Sequence, residues 1–442
     1  MIATRPYLAF LILAGVLAGC AAGAAVPSKD GDPMNRIAES YVKLVLAVGQ
    51  HDADYVDAYY GPPEWQAEAK ARGKRPLAKI RSEAESLLSE LRAQPPAAEG
   101  ADTGMIRLRH EYLTRQLQSL MARVDLLNGR RMKFDEESKA LYDAVAPHQE
   151  EAFFQKTVDQ LDQVLPGSGP VVDQLDRFRQ DFVIPRDRYD AVFQAAIAEC
   201  RRRTAPHLQL PADESFEVEY VTDKPWSGYN WYKGGYHSVI QLNTDLPIFI
   251  DRAIDLACHE GYPGHHVYNA LLEKNLMRDR GWREFSVYPL YSPQSLIAEG
   301  TANFGIDVAF PGPERIAWEK ATLFPLAGLD ASQAERYYEV QDLVQKLSYA
   351  SNEAGRRYLD GEITREQAVG WLVRYALYTR DRAEQRVRFI ERYRSYIINY
   401  NWGQDLVRQY VERQGGTPDS PEKRWQVFGD LLASPRLPSG LQ

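Results

Sequence analysis

The chain has 442 residues, a formal net charge of −8, 44% hydrophobic residues and 26% charged residues. An acidic chain whose one basic cluster is Arg201-Arg202-Arg203 carries no electrostatic footprint for nucleic acid, and that cluster reads as the last turn of a helix. The length admits one large domain or two smaller ones, and three cysteines are too few for a disulfide framework.

The N-terminus sets the address. After Arg5 an uncharged run from Tyr7 to Ala18 ends in Leu17-Ala18-Gly19-Cys20, too short to span a bilayer and suited to a signal-peptide core. The small residues before Cys20 resemble a bacterial lipobox, which predicts cleavage after residue 19 and a lipid on Cys20; an ordinary signal peptide cut further on is the alternative. Removing residues 1–19 takes away Arg5 and moves the net charge from −8 to −9. More than one acyl chain anchors a protein stably. Ala21 after the cysteine, by resemblance to enterobacterial lipoproteins, points to the outer membrane facing the periplasm in a Gram-negative cell. Residues 20–33 read as a tether, and residues 34–435 as a single helical domain. Cys200 and Cys258 remain; Cys258 reads as a small buried apolar residue, and the two are free to pair in an oxidising envelope.

Helical periodicity follows. Leu77, Ile80, Ala84, Leu87, Leu88 and Leu91 form one stripe, and Leu113, Leu117, Leu120, Met121, Val124 and Leu127 another, with Pro95-Pro96 breaking the chain between them. Further breaks fall at 166–170 and 206–211. Phe216 to Val221 alternates as a half-buried strand, Trp226 to Tyr236 reads as a glycine and aromatic loop, and Ser238 to Asn243 as a second strand. Helical spacing returns at about Asp251. The expected fold is mainly α, a large helical zincin-like domain with a small β-sheet before the metal-binding helix.

The chemistry centres on His259-Glu260-Gly261-Tyr262-Pro263-Gly264-His265-His266. Zinc hydrolases place two histidines one helical turn apart, with a glutamate after the first to take a proton from water at the metal. Here position i+4 is Pro263, so that spacing fails. On an unbroken helix His266 at i+7 faces the same way as His259, since two turns take about 7.2 residues. Pro263 opposes such a helix, at roughly 3 kcal/mol or more in a helix interior. A bulge across Tyr262-Pro263-Gly264 would bring His265 into the usual i+4 place and turn His266 aside, toward substrate or a carboxylate. Three of the chain's eight histidines fall within eight residues, which favours a metal site over a structural cluster capping a helix.

A third ligand is commonly a glutamate. Glu299 stands in the small and apolar stretch Ser295 to Phe304, where a carboxylate is costly unless paired or bound to metal. Asp307, two turns on, is a candidate to hold a ligating histidine. At these residues the sequence resembles the bacterial domain of unknown function (DUF) 885 family, which carries a His-Glu-x-x-Pro-Gly-His-His motif and a downstream Glu-Gly-x-Ala motif, here Glu299-Gly300-Thr301-Ala302. That family is similar to the thimet oligopeptidase and Taq carboxypeptidase metallopeptidases. The resemblance runs from about Tyr229 to Tyr410. It implies zinc as cofactor, His259, His265 and Glu299 as ligands, and Glu260 as base. The family's C-terminal segment has Pro before a Gln-Ala pair, whereas this chain has Asn401-Trp402-Gly403-Gln404-Asp405, so no substrate role passes to Gln404.

Peptide hydrolysis also calls for a backbone-binding edge and an oxyanion donor. The strand Ser238–Asn243 is a candidate edge, with an inner strand as its alternative. Tyr229, Tyr232, His237, Tyr375, Tyr378, Tyr396 and Tyr400 are candidate donors, and among 26 tyrosines none stands out. The expected function is therefore a zinc-dependent hydrolase, a metallopeptidase acting on peptide or related amide bonds and held to the membrane by its lipid. The competing class is a non-catalytic envelope lipoprotein that keeps the scaffold for binding or assembly.

Overall fold

The computed structural model describes residues 32–96, 102–224 and 226–442; the signal segment, Cys20 and most of the tether lie outside the described residues. Helices form where the periodicity predicts them. Leu77–Ala93 buries Ile80, Ala84, Leu87, Leu88 and Leu91, and Thr103–Leu127 buries Leu113, Leu117, Leu120 and Val124 on its matching face. Each apolar stripe is removed from water against its neighbour, which contributes more to helix stability than propensity does. Tyr189–Thr204 ends in the three arginines, where cations complement the helix C-terminus. The fold is mainly α, as expected. Among the described residues no helix is long and apolar enough to cross a membrane.

The strands are more numerous than the sequence suggests. They are β1 (Val56–Tyr59), β2 (Ser215–Val221), β3 (Gly228–Gly234), β4 (His237–Asn243) and β5 (Val287–Pro289). β1 pairs antiparallel with β5. β2, β4 and β3 form a three-stranded sheet in that order, β2 parallel and β3 antiparallel to β4. Two expectations are corrected here. The glycine and aromatic segment is not a loop: between its glycines, Asn230 and Tyr232 point inward while Trp231 and Lys233 point out, the alternation of a strand. β4 is not an edge. Its main chain is paired on both sides, so it has no free hydrogen-bonding groups to offer an extended peptide.

The buried apolar residues fall into two clusters. One gathers the C-terminal half of the helical array with the motif segment, including Cys258, Tyr262, Val267, Ile297 and Phe304. The other gathers the N-terminal helices with Leu296, Tyr396, Ile397 and Leu406. The helix Pro293–Ala309 contributes to both, and it crosses the helix Ile398–Arg413 at close quarters. The crossing is made by two glycines. A methyl group on Gly300 would lie 2.4 Å from the carbonyl oxygen of Gly403, and one on Gly403 would lie 2.8 Å from that of Leu296. Gly300 therefore serves helix approach rather than space around Glu299. Gly300→Ala and Gly403→Ala are each expected to lower unfolding stability by about 1–3 kcal/mol, the cost of overpacking, read from the denaturant midpoint. Unchanged midpoints would show that the two backbones separate without cost.

Candidate metal centre

The helix Asp251–Leu256 widens as it enters the motif. Tyr262 N donates to Ala257 O at 3.2 Å, a five-residue step, and Gly264 N donates to Cys258 O at 2.9 Å. Single wide turns of this kind re-aim side chains within a helix. Pro263 has no N–H to continue the ladder, and the Tyr262–Pro263 peptide is cis. The helix restarts at His265. Gly264 makes the excursion feasible: an added Cβ would stand 1.9 Å from the carbonyl oxygen of His259 and 2.4 Å from that of Cys258.

The two sides of this bulge present His259 and His265 to each other, ring centroids 4.6 Å apart and planes at 86°. Glu299 faces both. Its Oε2 lies 3.3 Å from His259 Nε2 and 3.8 Å from His265 Nε2, and ligand atoms of all three residues lie within 4.8 Å of one another. The other oxygen, Oε1, accepts from Tyr396 Oη at 2.7 Å, while the buried Oε2 has no hydrogen-bond partner of good geometry. Asn303 settles the tautomer of His259. Its amide nitrogen donates to Tyr400 O at 3.0 Å, so its Oδ1, 3.0 Å from His259 Nδ1, accepts from that ring nitrogen. A neutral His259 then aims the Nε2 lone pair at a carboxylate oxygen. Two lone pairs at that distance repel unless a proton or a cation lies between them. Two imidazole nitrogens and one carboxylate oxygen are a donor set that zinc accepts, so the residues fit that ion.

The electrostatics favour a positive charge, proton or cation, between His259 and Glu299. Burial works against a charge on His259, but the carboxylates of Glu299 and Glu260 outweigh it and hold the ring above the usual histidine range. Burial, aided by His259, pushes His265 down to about 4, which keeps it neutral. Burial opposes ionisation of Glu299, yet the two histidines and Tyr396 bring its carboxyl below the ordinary range. Glu260 is 4% exposed and is pushed up to about 7 by burial, with His259 opposing and Glu299 and Asp57 adding to the rise. Its carboxyl lies against the backbone of β3, where a methyl group on Gly228 would be 2.9 Å from Oε1. Asn230 Nδ2 donates to the Glu260 carbonyl at 2.7 Å and ties β3 to the motif.

The remaining predicted residues divide. His266 is fully buried and points away from Glu299. Its Nε2 meets Glu214 Oε2 at 2.9 Å and its Nδ1 meets Ser238 Oγ at 2.9 Å. Tyr262 Oη donates to the same Glu214 oxygen at 2.5 Å, so His266 pins the bulge to the sheet. Tyr232 donates to Glu273 at 2.6 Å and Tyr375 to Glu151, so both hydroxyls are engaged elsewhere. His237 meets Ser215 at the start of β2. Tyr229 donates to Asp57 on β1, and Asp57 is itself pushed up to about 7, mainly by burial. The expectation for Asp307 is corrected: it pairs with Arg408 at 3.0 Å and accepts from Gln404 at 3.3 Å, and a histidine is not among its partners. Counting two turns from Glu299 passes the site by; one turn reaches Asn303. That residue and Asp57 were missed because an amide and a lone aspartate on a four-residue strand carry no motif.

Cys200 and Cys258 are both buried, with Sγ atoms 2.7 Å apart, so Cys258 packs inside as expected and does so against Cys200.

Comparison with known proteins adds fold and little else. No family model and no curated protein matches the chain. Several solved structures are similar, two of them as follows. One is a protein from Colwellia psychrerythraea provisionally called a lipoprotein, 16% identical with a TM-score of 0.50, covering 83% of this chain and 68% of its own. The other is a provisionally named lipoprotein of unknown function from Shewanella oneidensis, 14% identical with a TM-score of 0.43, covering 86% and 75%. The likeness to the first extends over most of the helical array and concerns its fold alone.

Asn303→Ala is expected to weaken metal binding by about 10–100-fold, the usual effect of losing the partner of a ligating histidine. Asp307→Ala is expected to leave it unchanged. Competition with a chromogenic chelator measures both, and the reverse order would return the supporting role to Asp307.

Proposed function

We propose that the chain is a zinc-dependent hydrolase of peptide or related amide bonds with a zincin-like arrangement of ligands, held in the cell envelope by a lipid on Cys20. The observation that carries the reading is the buried Glu299 Oε2, without a hydrogen-bond partner of good geometry and facing Nε2 of both His259 and His265. His259, His265 and Glu299 would hold the ion. Zinc bound there supplies Lewis-acid chemistry, polarising the scissile carbonyl and acidifying water. Glu260 takes the proton from the attacking water and delivers it to the leaving amine; a carboxyl placed at about 7 suits both steps. Tyr400 is the candidate donor to the oxyanion, because it lies within the electrostatic field of Glu260 and Glu299 and its hydroxyl makes no hydrogen bond among the described residues. The similarity of the two motifs to DUF 885 sequences supports the same chemistry.

Metal analysis of purified protein is expected to find one zinc per chain, and the protein to cleave members of a peptide library read by mass spectrometry. Glu260→Gln should keep the zinc and lower turnover by roughly 10²–10⁴-fold, whereas Glu299→Ala should lose the metal. Full activity in Glu260→Gln removes that residue from the chemistry. A metal-free protein that melts at the same temperature with and without added zinc would instead favour a non-catalytic envelope lipoprotein keeping this scaffold for binding.

The anchor is tested separately. The mature protein is expected to begin at an acylated Cys20 and to partition into detergent, and Cys20→Ala to stay unprocessed or leave the membrane fraction. A mature N-terminus beyond residue 20 with no lipid overturns the anchor and leaves the chemistry standing.

A further inference from the structure

Two cysteines meet in the interior beside the metal ligands. Cys200 lies on the helix Tyr189–Thr204, one residue before Arg201, and Cys258 lies in the widened turn, one residue before His259. Both are 0% exposed, and their Sγ atoms stand 2.7 Å apart. Neither sulfur has another hydrogen-bond partner among the described residues.

The simpler arrangement is a pair of thiols packed as small apolar groups, since cysteine is commonly buried for its size alone. The separation argues against it. Unbonded carbon atoms rest at about 3.5–4.0 Å, and sulfur is the larger atom, so 2.7 Å is too close for two sulfurs that are not joined. A disulfide needs about 2.05 Å, a gap that a small rotation about χ1 at either residue closes. The compartment points the same way. Disulfides form and persist in secreted and periplasmic proteins and are rare in the cytosol. With a lipid on Cys20, Cys200 and Cys258 are the two thiols left in the chain.

We propose that Cys200 and Cys258 form a structural disulfide that staples the entry of the metal-binding bulge to the helix Tyr189–Thr204. This rests on the envelope address in the reading above and not on its hydrolase chemistry. The bond is made by exchange with a dithiol–disulfide oxidant of the envelope. One cysteine thiolate attacks the oxidant's disulfide, forming a mixed disulfide and expelling one oxidant thiolate. The other attacks the cysteine sulfur of that mixed disulfide and expels the second. Two electrons pass to the oxidant, and the two protons lost by the cysteines end on its thiols. Because both sulfurs are sealed from solvent, the bond forms as the chain folds and then resists reductants. The helix Tyr189–Thr204 thereby grips the bulge twice, at successive residues. Arg201 bonds Glu214 at 2.6 Å, and Glu214 holds Tyr262 and His266. The staple holds Cys258, whose carbonyl accepts from Gly264 N at 2.9 Å.

The test takes the full-length protein, exported by its own leader and purified from membranes. It is denatured, treated with iodoacetamide without reductant, digested and read by mass spectrometry. The expected product is one cross-linked species carrying the Cys200 and Cys258 peptides, lighter than their sum by the two hydrogens lost and open to alkylation only after reduction. Alkylation of both cysteines without reduction overturns the proposal, as does a bond from either cysteine to another chain. A chain that stays unprocessed in the cytoplasm fails the address by itself. Refolding it in a glutathione redox buffer then decides the bond, and free Cys200 and Cys258 thiols in the refolded protein overturn it. Stability gives a second reading. Cys200→Ala, Cys258→Ala and the double variant are each expected to lower Tm by the same amount, about 2–5 °C, because either single change breaks the one bond. Losses that add across the two sites belong to separately packed thiols and overturn the proposal.

Discussion

The closeness of Gly264 to the carbonyl of His259 is the constraint on which the rest of the site depends. A residue with any side chain at that position would collide with the preceding turn, so the excursion that Pro263 forces is available only to glycine. Once it is made, the helix resumes at His265, and the two histidines meet across the bulge rather than along a regular helix. The bulge is then fixed from behind. His266, Tyr262 and Arg201 all bond Glu214, while Ser238 of β4 takes the second nitrogen of His266. Burial of Glu214 would raise its carboxyl, yet these three partners bring it below the ordinary range, which marks the pairing as tight. A histidine cluster thus divides its labour: His259 and His265 face the carboxylate, and His266 holds them there.

Glu299 arrives from a different direction. Its helix is brought near by the Gly300–Gly403 crossing, and a methyl group on Gly305 would touch Pro263 at 3.0 Å, so the same helix also leans on the bulge. The Glu-Gly pair is one device. The glutamate supplies the charge, and the glycine lets the neighbouring helix come close enough for Tyr396 to reach its other oxygen.

How much of this was legible in the sequence depends on whether local pattern or tertiary contact sets each feature. The helices and their buried faces follow from periodicity, and the bulge from proline chemistry; both are local. The place of β4 in its sheet is not local, because its alternation is the same whether one or both sides are paired, and only β3 decides the matter. β3 itself was hidden by glycines at both ends and by aromatics whose alternation is plain only once Asn230 and Tyr232 are seen to be buried. Asp307 misled because helical counting gives a face but not what lies opposite it. Asn303, closer by one turn, meets His259 instead.

The helix Pro293–Ala309 has a consequence for how the molecule comes apart. It lends Leu296 to one apolar core and Ile297, Ala298 and Phe304 to the other, while Glu299 joins Tyr396 of the first core to His259 beside Cys258 of the second. Two cores that share few residues are free to open independently, as separate cooperative units. An ion held as proposed would tie His259 and His265, beside the second core, to Glu299 on the shared helix, and so would add its binding free energy to the junction. Metal bound there would act as a latch on cooperativity, favouring unfolding of the array as one body over parting along the seam at Glu299.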